Sequence, residues 1–267
     1  MEINEVHKKL SLKVVKIGGG VIEDPEALAR FCALFASLSG PKILIHGGGK
    51  SATLLAKKLG VDTKIINGRR ITPKESLEVM VMSYAGVANK NIVSSLQSNN
   101  CNAIGLSGAD GNSVLAHKRI PTEIDYGYVG DIDLVNAVLI DSLLDLGLCP
   151  VFCAISHNGN GQLLNTNADT IAAAIAAAMV SFYKTSLYYC FEKEGVLSNI
   201  EKNIVIPVLT PSKMEIEIAS GVIQAGMIPK LSNGFDALKG GVYEVIIGNK
   251  NILKGIEPFT RLKITAQ

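Results

Sequence analysis

The sequence contains no tryptophan, and aromatic residues make up only 5% of its 267 residues. Because 48% of the residues are nevertheless hydrophobic, small and branched aliphatic side chains must fill most of the core. The formal net charge is only +2, which gives no indication of nucleic-acid binding. A chain of this length and composition is typical of an α/β enzyme with one large domain or two small ones.

Long hydrophobic runs are also missing. The longest apolar run, residues 171–180, is mostly alanine, is shorter than the roughly 18 residues that a membrane span requires, and predicts a packed helix. The N-terminal segment MEINEVHKKLSLK lacks the apolar core of a secretion signal. We therefore expect a cytoplasmic protein that does not associate with membranes.

Cysteine and histidine form no pattern of a catalytic or metal site. The five cysteines are scattered and mostly lie in apolar segments, which predicts buried, reduced thiols rather than a zinc site. No H-E-x-x-H motif is present, and no histidine is paired with a serine or cysteine nucleophile. The sequence gives no support to a hydrolase or a metalloprotease.

Buried apolar strands alternate with helices along the chain, which predicts an α/β fold with a mostly parallel sheet covered on both faces. Residues 114–135 predict a β-hairpin that stands off this sheet. The glycine loops and the hairpin all lie before residue 183, which predicts two lobes, residues 1–183 and 184–267.

Several helices carry their own boundary signals. Asp24 and Thr210 each precede a proline and predict capped helix starts. The segment TPKE at residues 72–75 predicts a capping box. The helical stretch after it is expected to reach about residue 98, with a bend near Gly86.

Two glycine-rich loops follow predicted strands, at residues 18–20 and 47–49. The second is not a P-loop, because Leu44 stands where that motif needs its first glycine, and Glu23 breaks a dinucleotide-binding fingerprint in the first. Three successive glycines let backbone N–H groups approach an anion closely. Since ligands bind beyond the carboxyl ends of parallel strands, both loops are expected to face one crevice.

Two lysines occupy positions at which neither the predicted strand nor the predicted helix is favoured by a positive charge. Lys16 interrupts an apolar strand just before the first glycine loop. Lys230 lies in the first turn of a late helix, where its charge opposes the helix dipole. Each has an ordinary interpretation as a solvent-exposed lysine, but both are suited to meet phosphate.

Other polar residues sit at element junctions. Arg69 and Arg70 precede a predicted helix, and they are equally well explained as a carboxylate clamp or as a solvated basic pair. Asn165, Asn167 and Asp169 alternate, so in an extended segment they would share one face. Two lysines, two anion-binding loops and one carboxylate suit phosphoryl transfer, where catalysis is mostly positioning and charge neutralisation. An ionised carboxylate as acceptor would need no general base.

The motifs KIGGGV, IHGGG, NGRRITP, GLSGADG, GYVGDI, LLNTNADT and GMIPKLSNGFDALKGGV occur in this order. Together they resemble the N-acetylglutamate kinases of the amino acid kinase family, over about residues 14–264. The resemblance implies an open, mostly parallel eight-stranded sheet sandwiched between helical layers. It also implies transfer of the γ-phosphoryl group of ATP to the side-chain carboxylate of N-acetyl-L-glutamate, the second step of arginine biosynthesis.

The resemblance further implies an N-lobe that binds the acylated glutamate and a C-lobe that binds ATP. Mg²⁺ would be held mainly by the ATP phosphates, without a protein metal site. The N-terminal segment leaves little room for the interlacing helix of arginine-inhibited members, so an arginine-insensitive homodimer is expected.

The resemblance assigns a role to individual residues. Lys16 would stabilise the transferring phosphoryl group, Lys230 would contact the nucleotide phosphates, and Asp169 would orient both lysines. The remaining candidates are those for substrate binding (Gly48, Gly49, Arg70 and Asn165), for phosphate binding (Gly19, Gly20 and Gly47) and for nucleotide binding (Glu192, Gly195 and Met227).

One loop departs from the family pattern. CFEKEGVL puts Phe191, Glu192 and Lys193 where the family usually has Thr or Ser, Asp and Val. This departure keeps a non-catalytic metabolite sensor open as an alternative. Another N-acylglutamate such as N-succinyl-L-glutamate stays open as substrate because no motif reports the acyl pocket, and a sister amino acid kinase is the third alternative.

We expect Lys16→Ala and Lys230→Ala to lower kcat far more than they weaken substrate binding, because both lysines would neutralise charge that develops in the transition state. Arg70→Ala should chiefly raise KM, because a carboxylate clamp acts in the ground state as well. Steady-state kinetics separate the two effects, and an intact kcat in Lys16→Ala would contradict the role of that lysine.

Overall fold

The computed structural model describes residues 10–66, 69–199, 203–224 and 226–265. Its strands are β1 (Ser11–Ile17), β2 (Lys42–His46), β3 (Lys64–Ile66), β4 (Arg69–Ile71), β5 (Ala103–Leu106), β6 (Val114–Lys118), β7 (Gly130–Val135), β8 (Cys149–Cys153), β9 (Ile155–His157), β10 (Leu163–Asn165), β11 (Lys184–Cys190), β12 (Leu197–Asn199), β13 (Ile204–Val205), β14 (Val208–Leu209), β15 (Glu244–Gly248) and β16 (Thr260–Leu262).

Helices connect most of these strands, as the alternating pattern predicts. The α-helices are α1 (Gly19–Glu23), α2 (Pro25–Ala36), α3 (Gly49–Lys58), α4 (Lys74–Met80), α5 (Asn89–Gln97), α6 (Ala137–Asp145), α7 (Ala168–Ala178), α8 (Pro211–Ala219) and α9 (Ile228–Lys239). A π-helix spans Val81–Ala88, and short 3-10 helices span Asp110–Asn112, Met179–Ser181 and Lys250–Lys254.

The central sheet has eight strands in the order β14-β16-β15-β11-β1-β2-β8-β5. All neighbouring pairs are parallel except β15 and β16. This arrangement confirms the predicted mostly parallel eight-stranded sheet. Strands that follow residue 183 form one half of the sheet and earlier strands form the other, so β1 and β11 meet in the middle.

Helices cover both faces of the sheet, and the alternation of side chains along β1 divides the core accordingly. Val14 belongs to a hydrophobic cluster that includes α7 and α9. Val15 belongs to a second cluster that includes α2 and α5. Both valines are fully buried, as expected for a central strand with helices on both sides.

The hairpin predicted for residues 114–135 is present as the antiparallel pair β6 and β7. It extends into a four-stranded sheet, in the order β10-β9-β6-β7, outside the central sheet. Strand β10 leads directly into α7, so this smaller sheet places Asn165 beside the start of that helix.

The predicted caps of two helices are confirmed, and the third is wrong. The Asp24 carboxylate accepts hydrogen bonds from the first turn of α2, and the Thr210 hydroxyl accepts from Lys213 N in α8. Thr72 does not cap α4, whose N-cap is Pro73. The Thr72 hydroxyl instead donates to the Arg70 carbonyl oxygen and accepts from Asn165 Nδ2, because Thr72 is fully buried between these segments.

The helical stretch that contains Gly86 is not a continuous α-helix, because a π-helix lies between α4 and α5. A π-helix is wider than an α-helix and shifts the face that the following residues present. It brings Tyr84 against the second glycine loop and Asn89 against the end of β2.

All five cysteines are buried and free of disulfide bonds, which confirms the predicted buried thiols. Within the described ranges, no helix combines the length and the hydrophobicity needed to cross a membrane.

Substitution of Gly127 tests the contact between the segment that leads into β7 and the start of α4. Its φ is +74°, and a Cβ there would overlap the carbonyl oxygen of Thr72, to which Tyr128 N donates a 2.7 Å hydrogen bond. We expect Gly127→Ala to lower the free energy of unfolding by about 3 kcal/mol, about 1 from the left-handed backbone and about 2 from the overlap.

Gly147→Ala is the matched control, because Gly147 has a φ of +73° and nothing within 4 Å of the Cβ position. It should cost only about 1 kcal/mol. Urea denaturation of both variants measures the difference, and equal losses would contradict the clash at Gly127.

Candidate active site

Both glycine loops leave the same edge of the central sheet. Strands β1 and β2 are parallel neighbours, and Ile17 lies opposite His46 at their ends. The next residues of the two strands are therefore side by side, where open α/β sheets bind their ligands. An ion pair between Glu23 and Lys50, 3.2 Å long, joins the helices that follow the two loops. The structure thus places both loops at the same edge of the central sheet.

A cluster of three charged side chains lies at this edge. Lys16 Nζ is 2.7 Å and Lys230 Nζ is 2.9 Å from the same oxygen, Oδ1 of Asp169. The three side chains are only 11–14% exposed. They come from β1, α9 and α7, so the structure brings together residues that are more than 200 positions apart in the sequence.

Local structure aims each member of the cluster. Lys16 points to the same sheet face as Val14, the face on which α7 packs. Asp169 lies in the first turn of α7, and Lys230 lies in the first turn of α9. The two helices pack against each other, and Asn233 Nδ2 donates a 3.1 Å hydrogen bond to Thr170 Oγ1 between them.

Asn165, Asn167 and Asp169 would share one face only in an extended segment, and only the first part of this segment is extended. Helix α7 begins at Ala168 and interrupts the alternation. Asn167 becomes its N-cap and accepts hydrogen bonds from Asp169 N and Thr170 N. Asn165 stays in β10 and donates to Thr72 Oγ1 at 3.1 Å.

Burial and charge act in opposite directions on the cluster. Burial by itself would raise the pKa of Asp169, but the ammonium groups of Lys16 and Lys230 outweigh it and hold the pKa well below its usual range. Burial, together with Lys16, lowers the pKa of Lys230 to about 8 even though Asp169 favours its charged form. Asp169 is therefore ionised at physiological pH, and the pKa of Lys230 lies closer to that pH than is usual for a lysine.

The second glycine loop is held by Arg70. Its Nη2 donates to the carbonyl oxygen of Gly49 at 3.0 Å and to Thr53 Oγ1 at 2.7 Å. Arg69 is exposed instead. Gly48 has a φ of +152°, and the ring of Tyr84 lies within 3.0 Å of the position that a Cβ would occupy. Tyr84 can therefore pack this closely against the loop because residue 48 is a glycine.

His46 supports the same loop from below and was not recognised from the sequence. It is fully buried; Nδ1 lies 2.8 Å from the Gly47 carbonyl oxygen and Nε2 lies 3.0 Å from Asn89 Nδ2. Since a carbonyl accepts and an amide nitrogen donates, the proton is assigned to Nδ1. Burial lowers the pKa of His46 to about 4, so the ring is neutral at physiological pH. Its place directly before three glycines is the signal that could have indicated this role.

Tyr189 was also missed, because it lies in an apolar strand. It is paired with Lys16 across β1 and β11 and is fully buried. Its hydroxyl donates to the carbonyl oxygen of Asp169 at 3.0 Å. The Lys230 ammonium lies 4.9 Å from the centre of its ring. Tyr189 thus contacts two members of the charged cluster.

The nucleotide-binding candidates are spread over a wider region. The side chain of Glu192 lies directly against Gly20, which follows Gly19 in the short helix α1. The space beside Gly195 is filled by Val205 and Thr260. Met227 precedes α9 and packs, partly buried, against the hydrophobic cluster of α7 and α9. Of these three, only Glu192 adjoins the glycine loops.

A metal site built by the protein alone is not found among the described residues. No group of three or more histidine, cysteine, aspartate or glutamate side chains within these ranges could hold a metal ion. The described residues therefore do not fit an Mg²⁺ ion held by protein side chains alone.

Comparison with known proteins adds to this geometry. The sequence model of the amino acid kinase family matches residues 11–249. A Phocaeicola vulgatus protein named acetylglutamate kinase is 48% identical over 240 residues, 90% of this chain and 93% of that protein. A Cytophaga hutchinsonii protein of the same name is 49% identical over 238 residues, 88% of this chain and 90% of that protein.

A solved structure from Streptococcus mutans has a similar fold. It superposes with a TM-score of 0.78 at 26% sequence identity, over 95% of this chain and 99% of that one.

The charged cluster predicts how stability depends on residue 169. Asp169→Asn keeps the side-chain shape but leaves two ammonium groups without a countercharge. We expect the free energy of unfolding at pH 7 to fall by about 3 kcal/mol, the cost of breaking a buried pair. The control is Asp236→Asn, which removes an exposed pair with Lys239 on α9 and should cost less than about 0.5 kcal/mol.

The same variant predicts a change in acid sensitivity. Because the folded-state pKa of Asp169 lies below its unfolded value of about 3.9, the carboxylate stabilises the fold above that value. This contribution is lost as the pH falls toward the folded-state pKa. Urea titrations between about pH 5 and pH 2 should show a steeper loss in the wild type than in Asp169→Asn. Parallel curves would contradict the depressed pKa.

Proposed function

The chain belongs to the amino acid kinase family, and on that premise we propose that it transfers the γ-phosphoryl group of ATP to the side-chain carboxylate of N-acetyl-L-glutamate. The products are N-acetylglutamyl 5-phosphate and ADP, in the second step of arginine biosynthesis. The observation that carries the proposal is the Asp169 oxygen shared by two ammonium groups, at the edge where both glycine loops begin. The names of the relatives support the choice of acceptor.

The charged cluster supports the chemistry of this transfer. A carboxylate oxygen of the substrate attacks phosphorus, the bond from phosphorus to the bridging oxygen of ADP breaks, and ADP leaves. The acceptor is already ionised, so no group has to remove a proton. Negative charge spreads over the transferred group, and Lys16 and Lys230 neutralise it. Asp169 keeps both ammonium groups close together and at a fixed distance from the backbone of α7.

The substrate is assigned to the side of the second glycine loop. Gly48 and Gly49 offer a backbone without side chains, and Arg70 offers a guanidinium to the α-carboxylate. A guanidinium has five N–H donors, so the two bonds from Nη2 leave others for the substrate. Asn165 contacts the same region through Thr72.

The nucleotide is assigned to the opposite side of the cluster. Gly19 and Gly20 on this side, and Gly47 at the start of the second loop, would take phosphate oxygens through backbone N–H groups. Glu192, Gly195 and Met227 are the proposed nucleotide contacts of the C-lobe. When Mg²⁺ is bound on the ATP phosphates, it shields their charge from the incoming carboxylate.

The remaining parts of the proposal concern organisation. Residues 1–183 would form the N-lobe for the acylated glutamate, and residues 184–267 the C-lobe for ATP. The division of the central sheet into an early and a late half supports two lobes. The protein would act as a homodimer in the cytoplasm.

A hydroxylamine trap tests the function directly. The purified protein is incubated with Mg-ATP and either N-acetyl-L-glutamate or N-succinyl-L-glutamate, and the acyl phosphate is measured as its hydroxamate. We expect hydroxamate from the acetyl compound, in proportion to the ADP released. A reaction without acceptor is the control, because it measures hydrolysis of ATP alone.

The two acceptors separate the alternatives. Product from the succinyl compound alone would keep the mechanism and change the acyl specificity. No product from either acceptor, with protein shown to be folded, would contradict the kinase assignment and favour a metabolite sensor.

A further inference from the structure

Tyr189 contacts the charged cluster, but the proposed mechanism gives it no role. It lies in β11, in register with Lys16 in β1, so both side chains point to the sheet face covered by α7 and α9. The aromatic ring is fully buried. The ring lies beneath the Lys230 ammonium, and the hydroxyl contacts the first turn of α7.

The ring and the hydroxyl of Tyr189 make separate contacts. The ring centre is 4.9 Å from Lys230 Nζ, within the range of a cation–π interaction. The hydroxyl donates to the backbone carbonyl of Asp169 at 3.0 Å, which fixes the turn that carries the carboxylate. Helix α9 packs closely on the sheet at Gly234, one turn after Lys230, where a Cβ would lie 2.6 Å from Leu262 Cδ1 and 3.6 Å from the Tyr189 ring.

The ring compensates for an imbalance between positive and negative charge in the cluster. The charged and titratable groups around Lys230 are Lys16 from β1, Asp169 from α7 and Tyr189 from β11. The Cys190 thiol of β11 lies within electrostatic range but belongs to the hydrophobic cluster on the other sheet face. One carboxylate oxygen has to balance two ammonium groups in a buried place, and burial favours the neutral amine. The negative face of an aromatic ring favours the charged ammonium without adding another anion that would repel phosphate.

We propose that Tyr189 is a positioning residue for phosphoryl transfer: its ring keeps Lys230 in the ammonium form over the cluster, and its hydroxyl fixes the first turn of α7 beneath Asp169. This inference rests on the proposed kinase function. The two halves of the inference can be tested separately, because the ring and the hydroxyl can be altered one at a time.

Two isosteric replacements separate the contacts. Tyr189→Phe removes the hydroxyl and keeps the ring. Tyr189→pentafluorophenylalanine keeps the shape of phenylalanine and reverses the charge distribution of the ring face. Tyr188→Phe is the matched control, because Tyr188 is the neighbouring buried tyrosine of β11 on the opposite sheet face, with its hydroxyl 3.5 Å from Glu244.

The kcat–pH profile gives the kinetic readout. Activity needs Lys230 protonated, so kcat falls as the pH rises through its pKa. Pentafluorophenylalanine should lower that pKa relative to phenylalanine and move the alkaline limb downward by about one pH unit. Tyr189→Phe should keep the limb in place and lower kcat about threefold, the loss of one neutral hydrogen bond. Tyr188→Phe should change neither.

A titration that does not depend on activity keeps this inference separate from the kinase assignment. The ε-carbon resonance of Lys230, in protein labelled with ¹³C-lysine and assigned from its absence in Lys230→Arg, reports the pKa directly. Equal values in the phenylalanine and pentafluorophenylalanine proteins would overturn the role of the ring, even if the kinase is active. If the two pKa values differ but the wild-type protein forms no acyl phosphate, the role of the ring would be upheld and the kinase function would be contradicted instead.

If pentafluorophenylalanine prevents folding, Tyr189→Leu provides the comparison without a ring. It should lower the pKa of Lys230 in the same direction. An unchanged alkaline limb and an unchanged ε-carbon titration would then overturn the proposal.

Discussion

One carboxylate oxygen between two ammonium groups is the constraint on which the site depends. The three side chains are nearly buried, and buried charges are tolerated only when they are paired and held in place. Their pairing needs β1, α7 and α9 to meet within a few ångströms, at the junction between the early and the late half of the sheet. The same geometry that satisfies these charges concentrates positive charge at this edge of the sheet, where we propose that the phosphoryl group is transferred.

The second glycine loop is organised by neutral contacts instead. His46 and Asn89 hold it from below through a chain of hydrogen bonds, and Arg70 holds it from the side. Asn89 can reach this place because the π-helix before it changes the face that α5 presents. A neutral, fully buried histidine gives rigidity to this loop without adding charge near the anionic substrate that we propose.

Local signals predicted most of the fold because they depend on neighbours in the sequence. The caps at Asp24 and Thr210 use donors two or three residues away, and both were predicted correctly. The capping box at Thr72 failed although its pattern was present. Its hydroxyl found partners in Arg70 and in Asn165, which is 93 residues away, and a buried long-range contact outweighed the local one.

The sequence by itself determined the parallel sheet, the two glycine loops and the identity of the charged residues. Hydrophobic periodicity, glycine runs, and lysines in an apolar strand or at a helix start can each be recognised in a short stretch of sequence. Only the tertiary structure decided how these residues act together. A sequence cannot show that Lys16 and Lys230 share one oxygen of Asp169. Nor can it show that Asn167 becomes the N-cap of α7, or that Tyr189 contacts the cluster from the sheet. Those facts depend on strand register and helix packing, which join positions far apart in the chain.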